Sequence, residues 1–238
     1  MSPHTMSPGP RPGTVTDRRA AAELLAAGLV AFAAAAPAGA APAGGDIDPE
    51  SGNRLPLPRR DARDAAAQAI YDQVVDPKGG TLKGLRGPSG LHLHSPKLAV
   101  LMRPLNAYLR SQTGFSGRVR EIAILAAARA TDSQFEWAAH EPVARREGVP
   151  DAVIDVIKHR KPTAGLDEAD TAIIDICRAS FETRRVPPEV YARALSHFGA
   201  QQLVDLVVLM GYYVMTAGLL AAFDMQLEPG ETPLLPTP

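Results

Sequence analysis

The run from Arg120 to Pro150 reads REIAILAAARATDSQFEWAAHEPVARREGVP. Its first half is apolar and rich in alanine, and Ile122, Leu125, Ala126 and Arg129 recur at helical spacing. Ser116 stands ahead of them as the residue that starts a helix carrying Arg118 to Ala130. Asp132 or Ser133 then starts a second helix, and Gly148 ends it. Pro142 is expected to bend that helix just after His140. Ser133, Glu136 and His140 sit at offsets of three and four residues, so on a helix their side chains line one stripe. Glu121 belongs to the earlier helix and reaches the same place only through tertiary packing. Two carboxyls, an imidazole and a hydroxyl gathered in an otherwise apolar stretch make an acid/base constellation.

These residues carry a resemblance. The stretch is similar to the carboxymuconolactone decarboxylase family, itself related to the alkylhydroperoxidase D group. The peroxidase branch has a Glu, then a Cys-x-x-Cys pair, then a His four residues after the second Cys. Here Glu121 matches the Glu, Ser133 and Glu136 stand where the two cysteines would be, and His140 matches the His. Disulfide cycling needs thiolates, and the single cysteine, Cys177, lies far from the motif. Thiol-based peroxide reduction is therefore set aside. The resemblance extends from about Asp61 to about Pro229. It takes in IYDQVV, GLRGP, LHLHSP and Tyr108-Leu109-Arg110 upstream, and Asp167 to Tyr213 downstream. It implies a helical bundle assembled as a homotrimer or hexamer, and it leaves the substrate open.

Outward from the motif the chain reads as helix upon helix. Asp61 is placed to cap a run through Val75, followed by a glycine-rich loop from Gly79 to Gly90. Ser95 and Pro96 open a helix to about Ser111, with Pro104 inside it. Asp151 to Lys158, Asp167 to about Glu182, and Pro188 to Ser196 follow. Gln201 to about Met225 is the last and most apolar, with no charge from Leu206 to Phe223. Asp205 and Asp224 close that stretch, and no basic flank follows, so a buried helix at the centre of an oligomer is expected rather than stable membrane insertion. No segment alternates with a period of two, which gives an all-α fold.

Composition narrows the field of functions. The chain has 238 residues, 45% hydrophobic and 21% charged, which fits one globular domain with an accessory segment. A net charge of −1 and a pI near 6.6 carry no footprint for nucleic acid. The first 43 residues read differently. A Pro/Gly/Ser-rich start, the pair Arg18-Arg19, an alanine-rich run from Ala20 to Ala36 and small-residue cleavage positions around Ala40 have the layout of a signal for export, which would place the protein in the periplasm. Glu23 inside that run and Asp17 before the arginines leave a disordered leader on a cytoplasmic protein as the alternative. Residues 44–60 read as a polar linker, 61–229 as the helical domain and 230–238 as a tail.

The expected function is a cofactor-free acid/base enzyme that decarboxylates or isomerises a small lactone or keto acid through an enolate. His140 delivers a proton or stabilises the enolate, Glu136 is its acid/base partner, and Glu121 orients His140. Arg110 and Arg129 are candidates to clamp a substrate carboxylate, because guanidinium fits carboxylate in a bidentate way. Ser133, Trp137 and His94 complete the expected binding set. His92 and His94 alternate in a loop, but with His140 they match no metal-binding spacing, so neither a metal nor another cofactor is expected. An exported helical oligomer that binds a small molecule without changing it is the alternative, and a thiol-independent peroxidase or isomerase a third.

Overall fold

The computed structural model describes residues 45–236 apart from positions 63, 79 and 80, all within one compact unit spanning Ala43–Pro238. The expected leader lies outside the described residues. Among the described residues there are eight α-helices: α1 Ala65–Val75, α2 Pro88–Leu93, α3 Pro96–Ser111, α4 Gly117–Ala130, α5 Gln134–Arg146, α6 Asp151–Lys158, α7 Glu168–Cys177 and α8 Pro188–Ala222. Among the described residues the only β feature is an isolated bridge between Asp48 and Asn53, so the fold is all-α.

The centre of the bundle is α4. Residues 121 to 129 are all buried, and Ile122, Ala123, Ile124, Leu125, Ala127 and Ala128 have no exposed surface. A helix buried on every side needs neighbours all round, and α5, α6, α7 and α8 supply them. The alanines keep the spacing short, while each fully buried Ile or Leu contributes about 1.5–3 kcal/mol. The sequence reading placed the last helix at the centre of an oligomer, and a single protomer does not test that. In the protomer α8 lies along α4 with one flank outward, where Val204, Val208 and Met215 are exposed.

The turn from α4 to α5 sets the active geometry. Asp132 takes a left-handed conformation (φ 51°), and the Ser133 N–H returns to the Ala128 carbonyl at 2.9 Å, closing α4 in a tight reversal. Ser133 Oγ then accepts from the Glu136 N–H at 3.4 Å and caps α5. At the other end of α4, Ser116 Oγ accepts from the Val119 N–H. Arg118 grips the buried Asp170 of α7 through two bonds of 2.6 Å, locking those two helices in register.

Elsewhere the structure departs from the sequence reading. Asp64, not Asp61, caps α1, accepting from the Ala67 N–H at 2.8 Å, while Asp61 sits in a 3-10 turn over Arg60–Ala62. The glycine-rich loop contains the short helix α2. Gly90 is required there, because a Cβ would stand 1.9 Å from the Leu85 carbonyl oxygen. The segment expected as a free linker is pinned to the end of α8: the Arg54 N–H donates to the Phe223 carbonyl and the Gln226 N–H to the Gly52 carbonyl. The tail is likewise tied down, since both Leu234 and Leu235 N–H donate to Gln134 Oε1 and Leu235 is buried in the main core. Within α8, Gly199 (φ 68°, ψ 171°) breaks the helix into two arms, close to the sequence expectation of separate helices ending near Ser196 and starting at Gln201.

Candidate active site

Glu121 leaves the first turns of α4 and His140 the middle of α5, and the α4–α5 reversal brings them together. His140 Nδ1 lies 2.7 Å from Glu121 Oε2, with Glu121 wholly buried and His140 nearly so. Burial pushes the Glu121 carboxyl up. The His140 hydrogen bond and the charges of His140, Arg110 and Arg120 outweigh it and hold the group below its ordinary value, so Glu121 is a carboxylate. A carboxylate only accepts, so Nδ1 must carry a proton. That fixes the imidazole and leaves Nε2 pointing at Glu136, whose Oε2 is 3.6 Å away.

Glu136 is the opposite case. Burial drives its carboxyl well above the ordinary value, outweighing the pull of His140 and Arg110, and Glu121 adds to the rise. Its Oε1 has no hydrogen-bond partner although it is buried. Two carboxyls flank one imidazole, and their environments drive them in opposite directions: one is a fixed anion, the other a proton carrier.

The three groups meet a cavity of about 530 Å³, open to solvent, whose wall includes Glu136 and His140. Arg110 from α3 and Tyr213 from α8 face them. Tyr213 packs edge-on against the His140 ring with centroids 5.1 Å apart, and its hydroxyl accepts from Arg110 Nη1 at 3.3 Å. Burial pushes the Tyr213 phenol up, so it stays a neutral hydroxyl. Arg110 also approaches Glu121 Oε1 at 4.0 Å, and Arg120 donates to the Arg110 carbonyl, bracing the helix that holds it. Residues of the glycine-rich segment, Thr81 to Gly84 with Gly87 and Pro88, also line the cavity.

Of the residues expected from the sequence, Glu121, Glu136, His140 and Arg110 converge here. The others go elsewhere. Trp137 has no exposed surface and turns into the core, its indole N–H donating to Glu141 Oε2 at 2.5 Å. One residue beyond Glu136 on the helix, it falls on the opposite side of the stripe. Arg129 is a strut, bonded to the Lys158 carbonyl at 2.8 Å and paired with Asp132. Ser133 is spent on its cap. His94 ends α2, exposed, and does not line the cavity. Tyr212, Tyr213, Asn106, Ser89 and Thr216 also line the wall and are not among the site residues expected from the sequence. The buried tyrosine hydroxyl on an uncharged helix was the signal that a polar partner lay opposite. Among the described residues no group of three or more His, Cys, Asp and Glu is arranged to hold a metal ion.

A comparison with curated proteins found no match. The model of the carboxymuconolactone decarboxylase family matches residues 96–174, about a third of the chain. That segment contains Arg110, Glu121, Glu136 and His140, together with α3 to α6 and most of α7, on which the site is built. Over residues 96–174 the chain is similar to the carboxymuconolactone decarboxylase family.

Proposed function

We propose that this protein is a cofactor-free acid/base enzyme that decarboxylates or isomerises a small lactone or keto acid through an enolate. The observation that carries this reading is the buried Glu136 carboxyl, one oxygen without a partner, beside a His140 held in a single orientation by Glu121. A buried group left unsatisfied costs on the order of 1–3 kcal/mol. Such a group suits a ligand that completes it.

In the decarboxylation the bond to the substrate carboxylate breaks and carbon dioxide departs. The bonding pair moves through the conjugated system to the carbonyl oxygen, so the substrate is its own electron sink. Arg110 and the Tyr213 hydroxyl stabilise the enolate oxygen as charge gathers there. Glu136 then gives its proton to carbon, and the resulting carboxylate regains one from solvent by way of His140 Nε2. Glu121 keeps the ring aimed throughout. The isomerisation needs the same groups, with a carbon-bound proton taken and returned in place of carbon dioxide loss.

The test is a panel of small lactones and β-keto acids, followed by carbon dioxide release and by loss of ultraviolet absorbance. His140→Ala and Glu136→Gln are expected to lower turnover about 10²–10⁴-fold while the helical content is unchanged. Full turnover in either variant overturns the assignment. Binding without turnover across the panel leaves a binding protein in its place.

A further inference from the structure

The chain that follows α8 runs back to two pieces of the His140 cavity wall. Its start is fixed beside the end of α8, where the Gln226 N–H donates to the Gly52 carbonyl, and Met225 and Leu227 pack with Leu91, Phe135 and Leu220. Its far end is fixed on α5, where Gln134 Oε1 accepts from the Leu234 and Leu235 N–H groups and Leu235 is buried. Phe135, next along α5, is itself a wall residue.

Between these anchors the chain turns at Glu228–Glu231. The Glu231 N–H donates to the Glu228 carbonyl at 2.9 Å, and Glu231 Oε2 accepts from the Glu228 N–H at 3.0 Å. The turn presents two carboxylates to the other piece of wall, the glycine-rich segment. Lys83 Nζ donates to Glu231 Oε1 at 2.7 Å, and Arg86 Nε stands 3.2 Å from Glu228 Oε2. Cations and carboxylates are each three positions apart, so the two segments pair in opposite directions. The Lys83 ammonium also lies 6.0 Å from the centre of the Phe135 ring, so it touches both pieces of wall. Arg86 reaches on through Nη1 to the Glu50 carbonyl at 2.9 Å. Lys83 holds the Glu231 carboxyl below its ordinary value, so that group is a carboxylate at neutral pH.

We propose that this clasp is a latch on the cavity: the Lys83–Glu231 and Arg86–Glu228 pairs hold the Thr81–Pro88 wall in place, and their loss loosens it and lets small molecules reach His140 faster. Isolated surface ion pairs hold little, because ordering two long side chains offsets their attraction. Here the backbone on both sides of the carboxylates is already anchored, so less order is lost on pairing. The four side chains are between 17% and 34% exposed, dry enough for the pairing to hold and wet enough for salt to weaken it. All four residues lie outside residues 96–174, so the latch belongs to the flanks of the family match.

The test puts a reporter thiol in the wall with Ala139→Cys, since Ala139 lines the cavity and the native Cys177 is fully buried. Its rate of alkylation by iodoacetamide is measured at low and at high salt. Adding Glu228→Gln with Glu231→Gln is expected to raise the low-salt rate roughly three- to tenfold, the weight of two partly buried ion pairs. Salt should raise the rate in the parent and have a smaller effect once both carboxylates are gone. Lys83→Glu alone should also raise it, and Lys83→Glu with Glu231→Lys should bring it back toward the parent. In the chain without the reporter, amide exchange of residues 81–88 should quicken in the Glu228→Gln, Glu231→Gln variant while α4 stays protected. A rate or an exchange pattern that the paired substitution leaves unchanged overturns the latch, as does an equal salt effect with and without the carboxylates. Neither readout uses a substrate, so failure of the acid/base reading on the lactone panel and failure of the latch are seen separately.

Discussion

Arg110 and Tyr213, 103 positions apart in the chain, meet at 3.3 Å across the cavity, with the guanidinium donating to the phenol oxygen. The contact joins α3 to the second arm of α8 and turns a mostly apolar helix into one wall of a polar site. Tyr213→Phe removes the hydroxyl and keeps the edge-on packing against His140. We expect an unchanged melting temperature and a loss of about tenfold or more in kcat with a smaller change in KM, because the hydroxyl is aimed at charge that develops during the reaction. Steady-state kinetics on an accepted substrate separates the two.

Glu136 gives a pH-dependent stability signature. Its carboxyl pKa is raised in the folded protein above the ordinary 4.5, so the folded state holds a proton that the unfolded chain releases. Stability attributable to this group is therefore full below that value and declines as pH rises toward the folded pKa. Glu136→Gln lacks the ionisation. Its melting temperature should exceed the parent's by a few degrees at pH 7, at about 2–4 °C per kcal/mol for a chain of this size, and the gap should close toward pH 4. Calorimetric melting across that range checks it, and a gap that widens on acidification contradicts it.

Glu121 runs the other way. Its carboxyl is held below the ordinary value, burial notwithstanding, by His140 and the two arginines, so it stabilises the fold above that value and the contribution is lost as pH falls through the folded pKa. Glu121→Gln leaves Arg110 and Arg120 short of their counter-charge and frees the imidazole. Turnover should drop about 10²-fold, and the His140 ring resonances in a nitrogen-correlated spectrum should broaden or split as the orientation is lost.

Cys177 is expected to be silent in catalysis. It is fully buried in the core on α7, and burial pushes its thiol far above the range in which a thiolate forms. Cys177→Ala should keep full turnover. It should cost about 1–2 kcal/mol in denaturant melts through the small void it leaves. The native protein should also resist thiol reagents until unfolded.

An apolar face runs along the outside of α3 and α8. Leu98, Leu101, Leu105 and Tyr108 recur at steps of three and four on α3, and Leu101 is 70% exposed. Val204, Val208 and Met215 continue the face on α8, with the Tyr108 hydroxyl donating to Asp205 between them. Exposed apolar residues repeated along a helix in this way suit an association surface. We expect a second copy to cover it, and Leu101→Glu to shift the mass measured by light scattering to that of a protomer. An unchanged mass would mean that association uses another face.

Helix positions were legible in the sequence because their caps and breakers are local. Ser116, Ser133 and Gly148 act on their immediate neighbours, and each stands where the reading put it. Glu136 and His140 were legible for the same reason, being one helical turn apart. Trp137 was misplaced because its direction depends on which flank of α5 meets the core, and that is a tertiary fact. Tyr213 was not legible as a site residue because apolar neighbours hide a polar role until its partner, 103 residues away, is in view. The linker was not legible as part of the fold because polar, proline-rich composition does not reveal that backbone bonds with Phe223 and Gln226 would hold it.

The extent of the family match divides the site by origin. The proton-handling groups lie within residues 96–174, whereas Tyr212 and Thr216 of the cavity wall come after it and Lys83 and Ser89 before it. A chain organised in this way can keep one reactive centre and change what that centre accepts by altering only its flanks. Diversification of preference would then fall on helices that carry none of the proton traffic, where a failed variant loses a ligand and still folds.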